Sequence, residues 1–100
     1  MREDRQRLDK WLWFARFVKS RTLAAKLVSD GFVRINGQRA ETPAKPLAIG
    51  DVVTVAAART TAVVRVEALG TRRGPADEAR RLYSEVGRDD GALVTTPRKG

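Results

Sequence analysis

The sequence predicts an α+β domain: two antiparallel helices packed on a small, twisted, mainly antiparallel sheet, followed by a C-terminal helix. Three observations carry this. Apolar residues recur at helical spacing in two consecutive segments, Leu8-Trp11-Leu12-Ala15 and Leu23-Ala24-Leu27-Val28. Asn36-Gly37, which tolerates positive φ at both central turn positions, follows Phe32-Val33-Arg34-Ile35 and marks a hairpin. Val-rich runs from Val52 to Val55 and from Thr61 to Leu69 supply further strands.

In order along the chain, residues 1–6 read as a flexible N-terminus. The first helix is expected over about residues 7–17, with Trp13, Phe14, Phe17 and Val18 widening its apolar arc. Ser20 is placed to cap a second helix over 21–30, and Gly31 stands where a left-handed residue ends it. The connection Val18-Lys19-Ser20 is short, so the helices must be neighbours. Gln38 to Ala40 returns from the hairpin, and Pro43 and Pro46 bracket an irregular crossing segment. After the Gly50-Asp51 turn and two strands, Pro75, Asp77 and Glu78 suit the first turn of a last helix with Ala79, Leu82, Tyr83 and Val86 on its apolar side. From Gly87 the chain has few anchors, and 87–100 reads as a disordered tail. The resulting division is 7–56 for a first unit and 57–86 for a strand and helix completing it.

Charge narrows the function. The chain has a net charge of +8. Residues 1–46 hold eleven Lys/Arg against five Asp/Glu, while 47–100 hold nine against seven. The partner is therefore expected to be a polyanion, facing the N-terminal half. There is no cysteine and no histidine, so disulfides, thiolate chemistry and the commonest general base and metal ligand are excluded. No apolar run approaches the ~20 residues that span a bilayer. The chain reads as a cytoplasmic protein with no membrane partner and no cofactor, a monomer by default, and not an enzyme.

Arg7-Leu8-Asp9-Lys10-Trp11-Leu12, Ser20-Arg21-Thr22-Leu23-Ala24, Gly31-Phe32-Val33-Arg34-Ile35-Asn36-Gly37 and Gly50-Asp51 resemble, in order and spacing, the S-four RNA-binding domain, the alpha-L motif. Asp9 to Trp13, Asn36-Gly37-Gln38-Arg39, Arg72-Arg73-Gly74-Pro75-Ala76 and Leu82-Tyr83 further resemble the small ribosome-associated heat-shock protein family over about residues 6–86. That resemblance implies binding of ribosomal RNA on free large ribosomal subunits that still carry a nascent chain on transfer RNA, and help in recycling them. Family members often carry a longer basic C-terminal extension; here only Arg88, Arg98 and Lys99 follow the last predicted helix.

The candidate RNA contacts are Arg7, Lys10, Arg16, Lys19, Arg21 and Lys26 on the helices, Arg34, Asn36, Gln38 and Arg39 on the hairpin, and Lys45 beyond it. Arg suits bidentate phosphate contacts, and Lys acts as a point charge. Ser20 and Thr22 either cap the second helix or also meet phosphate at its N-terminus. Asp9 amid these cations is expected to orient a basic neighbour. Trp11 belongs in the core, whereas Trp13 or Phe14 is a candidate for an exposed stacking ring. Arg72, Arg73, Arg80 and Arg81 either form a second basic patch or only solvate the last helix. Reversing Arg16, Lys19 and Arg21 to Glu is expected to abolish RNA binding and leave the fold intact. Two other readings remain: a DNA-binding regulator using the second helix, and an accessory module of an RNA-modifying enzyme.

Overall fold

Residues 5–56 and 61–88 are described by the computed structural model. Strand β1 (Arg5–Arg7) runs directly into α1 (Leu8–Phe14). No side chain caps α1. Its first amides are satisfied by a remote loop: Leu8 N–H donates to the Lys45 carbonyl and Asp9 N–H to the Pro43 carbonyl, both at 3.0 Å. The proline-bracketed crossing segment is thus the cap of α1. It continues as β4 (Pro46–Ala48), which pairs antiparallel with β1.

Helix α1 is shorter than its apolar spacing suggests. It stops because Arg16 adopts φ 66, closing the end with Arg16 N–H on Trp13 O at 3.1 Å and Phe17 N–H on Leu12 O at 3.0 Å. Phe17 and Val18 still pack against the core, from the turn rather than the helix. Helix α2 (Arg21–Ser29) begins as expected, with Ser20 Oγ accepting from Leu23 N–H at 3.1 Å. It ends in the same closure, with Gly31 at φ 88.

The main sheet has the order β3-β2-β5-β6-β7, antiparallel throughout, from β2 (Val33–Ile35), β3 (Gln38–Arg39), β5 (Val52–Ala56), β6 (Thr61–Val66) and β7 (Tyr83–Arg88). Alternation turns Val33, Ile35, Val53, Val55, Val64 and Val66 into one core with Leu8, Trp11, Leu12, Ala24 and Val28 from the helices. The opposite face carries Arg34, Thr54 and Arg65. No helix among the described residues is long and apolar enough to cross a membrane.

The chain after β6 departs from expectation. The C-terminal helix α3 (Ala76–Ala79) is a single turn, followed by a 3-10 turn over Arg80–Leu82. Tyr83 to Arg88 then form a strand. The free edge of β6 explains this: pairing Tyr83 with Val66 satisfies backbone groups that a longer helix would leave open. It also sets the Tyr83 ring 4.9 Å from Phe17 and 6.4 Å from Trp11, centroid to centroid. Strand β7 extends two residues into the expected disordered tail; 89–100 lie outside the described residues. At the other end, Arg5 and Gln6 of the expected flexible segment are in β1, and 1–4 lie outside the described residues.

Candidate nucleic-acid interface

Asp9 organises the cationic surface. It is 3% exposed. Its carboxylate accepts from Arg7 Nε at 3.1 Å and Arg7 Nη2 at 3.0 Å, and Arg21 Nε lies 3.8 Å away. One buried acid therefore holds two exposed arginines from different elements, β1 and α2. The same contact raises the pKa of Arg7 above its ordinary value, through the hydrogen bond first and the charge of Asp9 second. Arg7 stays charged at any pH at which the protein is handled. The orienting role expected for Asp9 is what its geometry displays.

The surface continues toward the hairpin. Lys45 is exposed, and its backbone meets the first turn of α1. It shares a cleft with Gln38, Arg39, Asn36 and Asp51, while the neighbouring groove is lined by Arg7 and Pro46. Arg7, Arg21, Lys45, Gln38 and Arg39 thus lie along adjoining ground. Asn36 is committed elsewhere: at φ 53, its Oδ1 accepts from Val52 N–H at 3.0 Å and its Nδ2 donates to Asp51 Oδ1 at 3.2 Å. Arg39 also packs its guanidinium over Gly31, where an added Cβ would stand 3.0 Å from it. That places a cation at the negative end of α2.

Several of the other predicted contacts have partners of their own. Arg16 Nε donates to the Gly74 carbonyl at 2.7 Å, tying the α1–α2 turn to the loop before α3. Reversal of Arg16 therefore attacks the structure, and the triple Glu replacement does not separate binding from folding. Lys19 is exposed in the same turn. Ser20 is half-buried as the cap, and Thr22 is exposed in the first turn of α2. Lys10 lies 5.8 Å over the Phe14 ring. Lys26 pairs with Asp30 at 3.2 Å, one turn on. Arg34 emerges on the face of the sheet away from the core, beside the half-exposed Phe32. Of the candidate stacking rings, Phe14 is buried and Trp13 is half-buried, the two stacked at 5.4 Å.

Residues 6–53 match the S4 domain family. Heat shock protein 15 of Vibrio cholerae, solved as a trimeric structure, shares 43% sequence identity and a TM-score of 0.77, over 81% of each chain. The chain belongs to the heat shock protein 15 family. It is also 43% identical over 80 residues to heat shock protein 15 of Escherichia coli K12, covering 80% of this chain and 59% of that protein. It is 39% identical over 72 residues to small ribosomal subunit protein uS4 of Xanthobacter autotrophicus, covering 70% of this chain and 35% of that one. The chain spans about three-fifths of the length of the heat shock protein 15 of Escherichia coli K12.

Two parts of the motif that carried the resemblance, Asn36-Gly37 and Gly50-Asp51, touch in this family member. Asp51 accepts from Asn36 through Oδ1 and from Ala48 N–H through Oδ2 at 2.9 Å, so the hairpin tip is pinned to the turn before β5. Sequence reasoning missed Gln6, whose amide both donates to Gly70 O at 2.8 Å and accepts from Gly70 N–H at 3.0 Å. Only the fold brings residues 64 apart in sequence together, so no local signal marks that pair. It also left open the arginines of the last segment. Arg72 pairs with Glu78 at 2.8 Å and Arg80 with Asp77 at 3.2 Å, while Arg73 turns inward.

Proposed function

We propose that this chain binds structured RNA through the surface formed by Arg7, Arg21, Lys45, Gln38 and Arg39, without catalysis. The observation that carries the reading is the shared buried carboxylate of Asp9, which fixes Arg7 and Arg21 beside one another. Exposed arginines normally hold no single geometry; two paired with one buried acid lose less freedom when a ligand binds. A phosphodiester backbone is the ligand such a pair fits, since guanidinium groups bind phosphate oxygens bidentately. Membership of the heat shock protein 15 family and likeness to a ribosomal protein support a ribosomal RNA partner. The finer proposal is attachment to large ribosomal subunits carrying a nascent chain on transfer RNA, with assistance in their recycling.

The test is fluorescence anisotropy with a labelled RNA hairpin and the same hairpin in DNA at equal salt. Arg21→Gln with Lys45→Glu should weaken RNA binding at least tenfold and leave the melting temperature within a few degrees, because neither side chain is buried and Arg7 still pairs with Asp9. Equal affinity for DNA, or no effect of the double substitution, overturns the reading. Co-sedimentation with separated subunits tests the ribosomal partner: recovery with small subunits alone contradicts the finer proposal. Sedimentation of the free chain tells the expected monomer from a trimer like that of the Vibrio cholerae relative.

A further inference from the structure

The Arg72-Arg73-Gly74 loop lies outside the segment matched to the S4 domain, and its second arginine is unexplained. The loop and the α1–α2 turn hold each other reciprocally. Arg16 Nε reaches the Gly74 carbonyl at 2.7 Å, and Arg73 Nη2 reaches the Val18 carbonyl at 3.5 Å. Two guanidinium groups are thereby crossed within a few residues of each other, with exposed Lys19 in the same turn. No acid answers them: among the described residues neither Arg16 nor Arg73 forms an ion pair. The carboxylate beside Gly74 is paired with another arginine. Glu78 is engaged by Arg72 at 2.8 Å, and it lies so closely over Gly74 that any Cβ there would collide with its carboxylate. Arg73 Nε, finally, is shielded from solvent and has no hydrogen-bond partner.

Two guanidinium groups without an ion pair and an exposed ammonium gathered at one turn favour an anion beside them. The N-terminus of α2 begins at the next residue after Ser20, and its dipole adds to the same field. The geometry points to a second phosphate-binding site, formed by Arg73, Arg16 and Lys19, that carries the RNA contact beyond the S4-matched segment. This deepens the RNA-binding reading and rests on it. The loop then has two duties in one motif: Arg72 and Gly74 position Glu78, and Arg73 meets an RNA phosphate.

The experiment measures affinity for the labelled RNA hairpin across a salt series with Arg73→Gln, which keeps a donor for the Val18 carbonyl but not the charge. Arg21→Gln serves as the reference. Arg73→Gln should weaken binding about tenfold and lower the slope of log affinity against log salt by about 0.7–0.9, the loss of one phosphate contact. An unchanged slope in Arg73→Gln, with a lowered slope in Arg21→Gln, overturns this inference and leaves the RNA-binding reading standing. Unchanged slopes in both variants overturn both. If Arg73→Gln melts well below the parent protein, Lys19→Gln probes the same site. Among the described residues the exposed Lys19 side chain forms no ion pair, so an unchanged slope there overturns the site.

Discussion

Asp9 and Asn36 show how one side chain can set a surface without touching a ligand. Asp9 is an acid inside a cationic surface, so charge counting alone says that neutralising it should tighten RNA binding. The geometry says the opposite. Asp9→Asn removes the anchor shared by Arg7 and Arg21, and RNA affinity should fall several-fold although the net charge rises by one. Tighter binding of the Asn variant would mean the two arginines need no anchor. The raised pKa of Arg7 sets the pH behaviour. Stability from that shift is fully present below the ordinary arginine pKa and is lost only as pH climbs through the raised value. With no histidine in the chain, RNA affinity should be flat between about pH 6 and 9. Asn36 was a candidate contact, yet its amide is spent on Val52 and Asp51. Asn36→Ala should therefore destabilise by about 1–2 kcal/mol, from two lost hydrogen bonds and an alanine at positive φ. A thermal melt reads this as a loss of several degrees. Lost RNA affinity at an unchanged melting temperature would return Asn36 to the binding surface.

Both helices finish with the same left-handed closure, but the residues that make it differ. Glycine at Gly31 costs little at φ 88, and it also admits the Arg39 guanidinium. Arginine at Arg16 is strained at φ 66, a conformation that costs a side-chain-bearing residue about 1–2 kcal/mol. The bond from its guanidinium to Gly74 offsets part of that cost. Arg16→Ala should then lose the bond and keep the strain, while Arg16→Gly loses the bond and relieves the strain. Denaturant unfolding should find the glycine variant more stable than the alanine variant by about 1 kcal/mol. The reverse order would mean that Arg16 is not left-handed in solution. At the far end, β7 wins over a longer helix because Tyr83 docks against Trp11 and Phe17 while pairing with β6.

Across the whole molecule, the proposed RNA contacts form two neighbouring groups. The first surrounds Asp9 and runs to the hairpin, and the second lies at the α1–α2 turn. Lys26 is paired with Asp30, and Lys10 lies over the Phe14 ring. If RNA engages about four to six phosphates, the salt slope for the intact chain should be near −3 to −5. A slope near zero between about 50 and 200 mM salt would mean the electrostatic account of binding is wrong.

Local patterns carried much of this. The apolar spacing placed both helices, Ser20 and Gly31 marked the ends of α2, and Asn36-Gly37 located the hairpin, because each depends on residues only a few positions apart. The ordered motifs also pointed to the family. Contacts made at a distance were illegible. The crossing segment became the cap of α1, Gln6 found Gly70, Arg16 found Gly74, and Tyr83 and Val86 of the expected last helix became part of a strand. Sequence thus decided which residues carry charge and where helices and turns begin. Tertiary structure alone decided which cations stand together, because that depends on backbone hydrogen bonds and buried partners supplied from elsewhere in the chain.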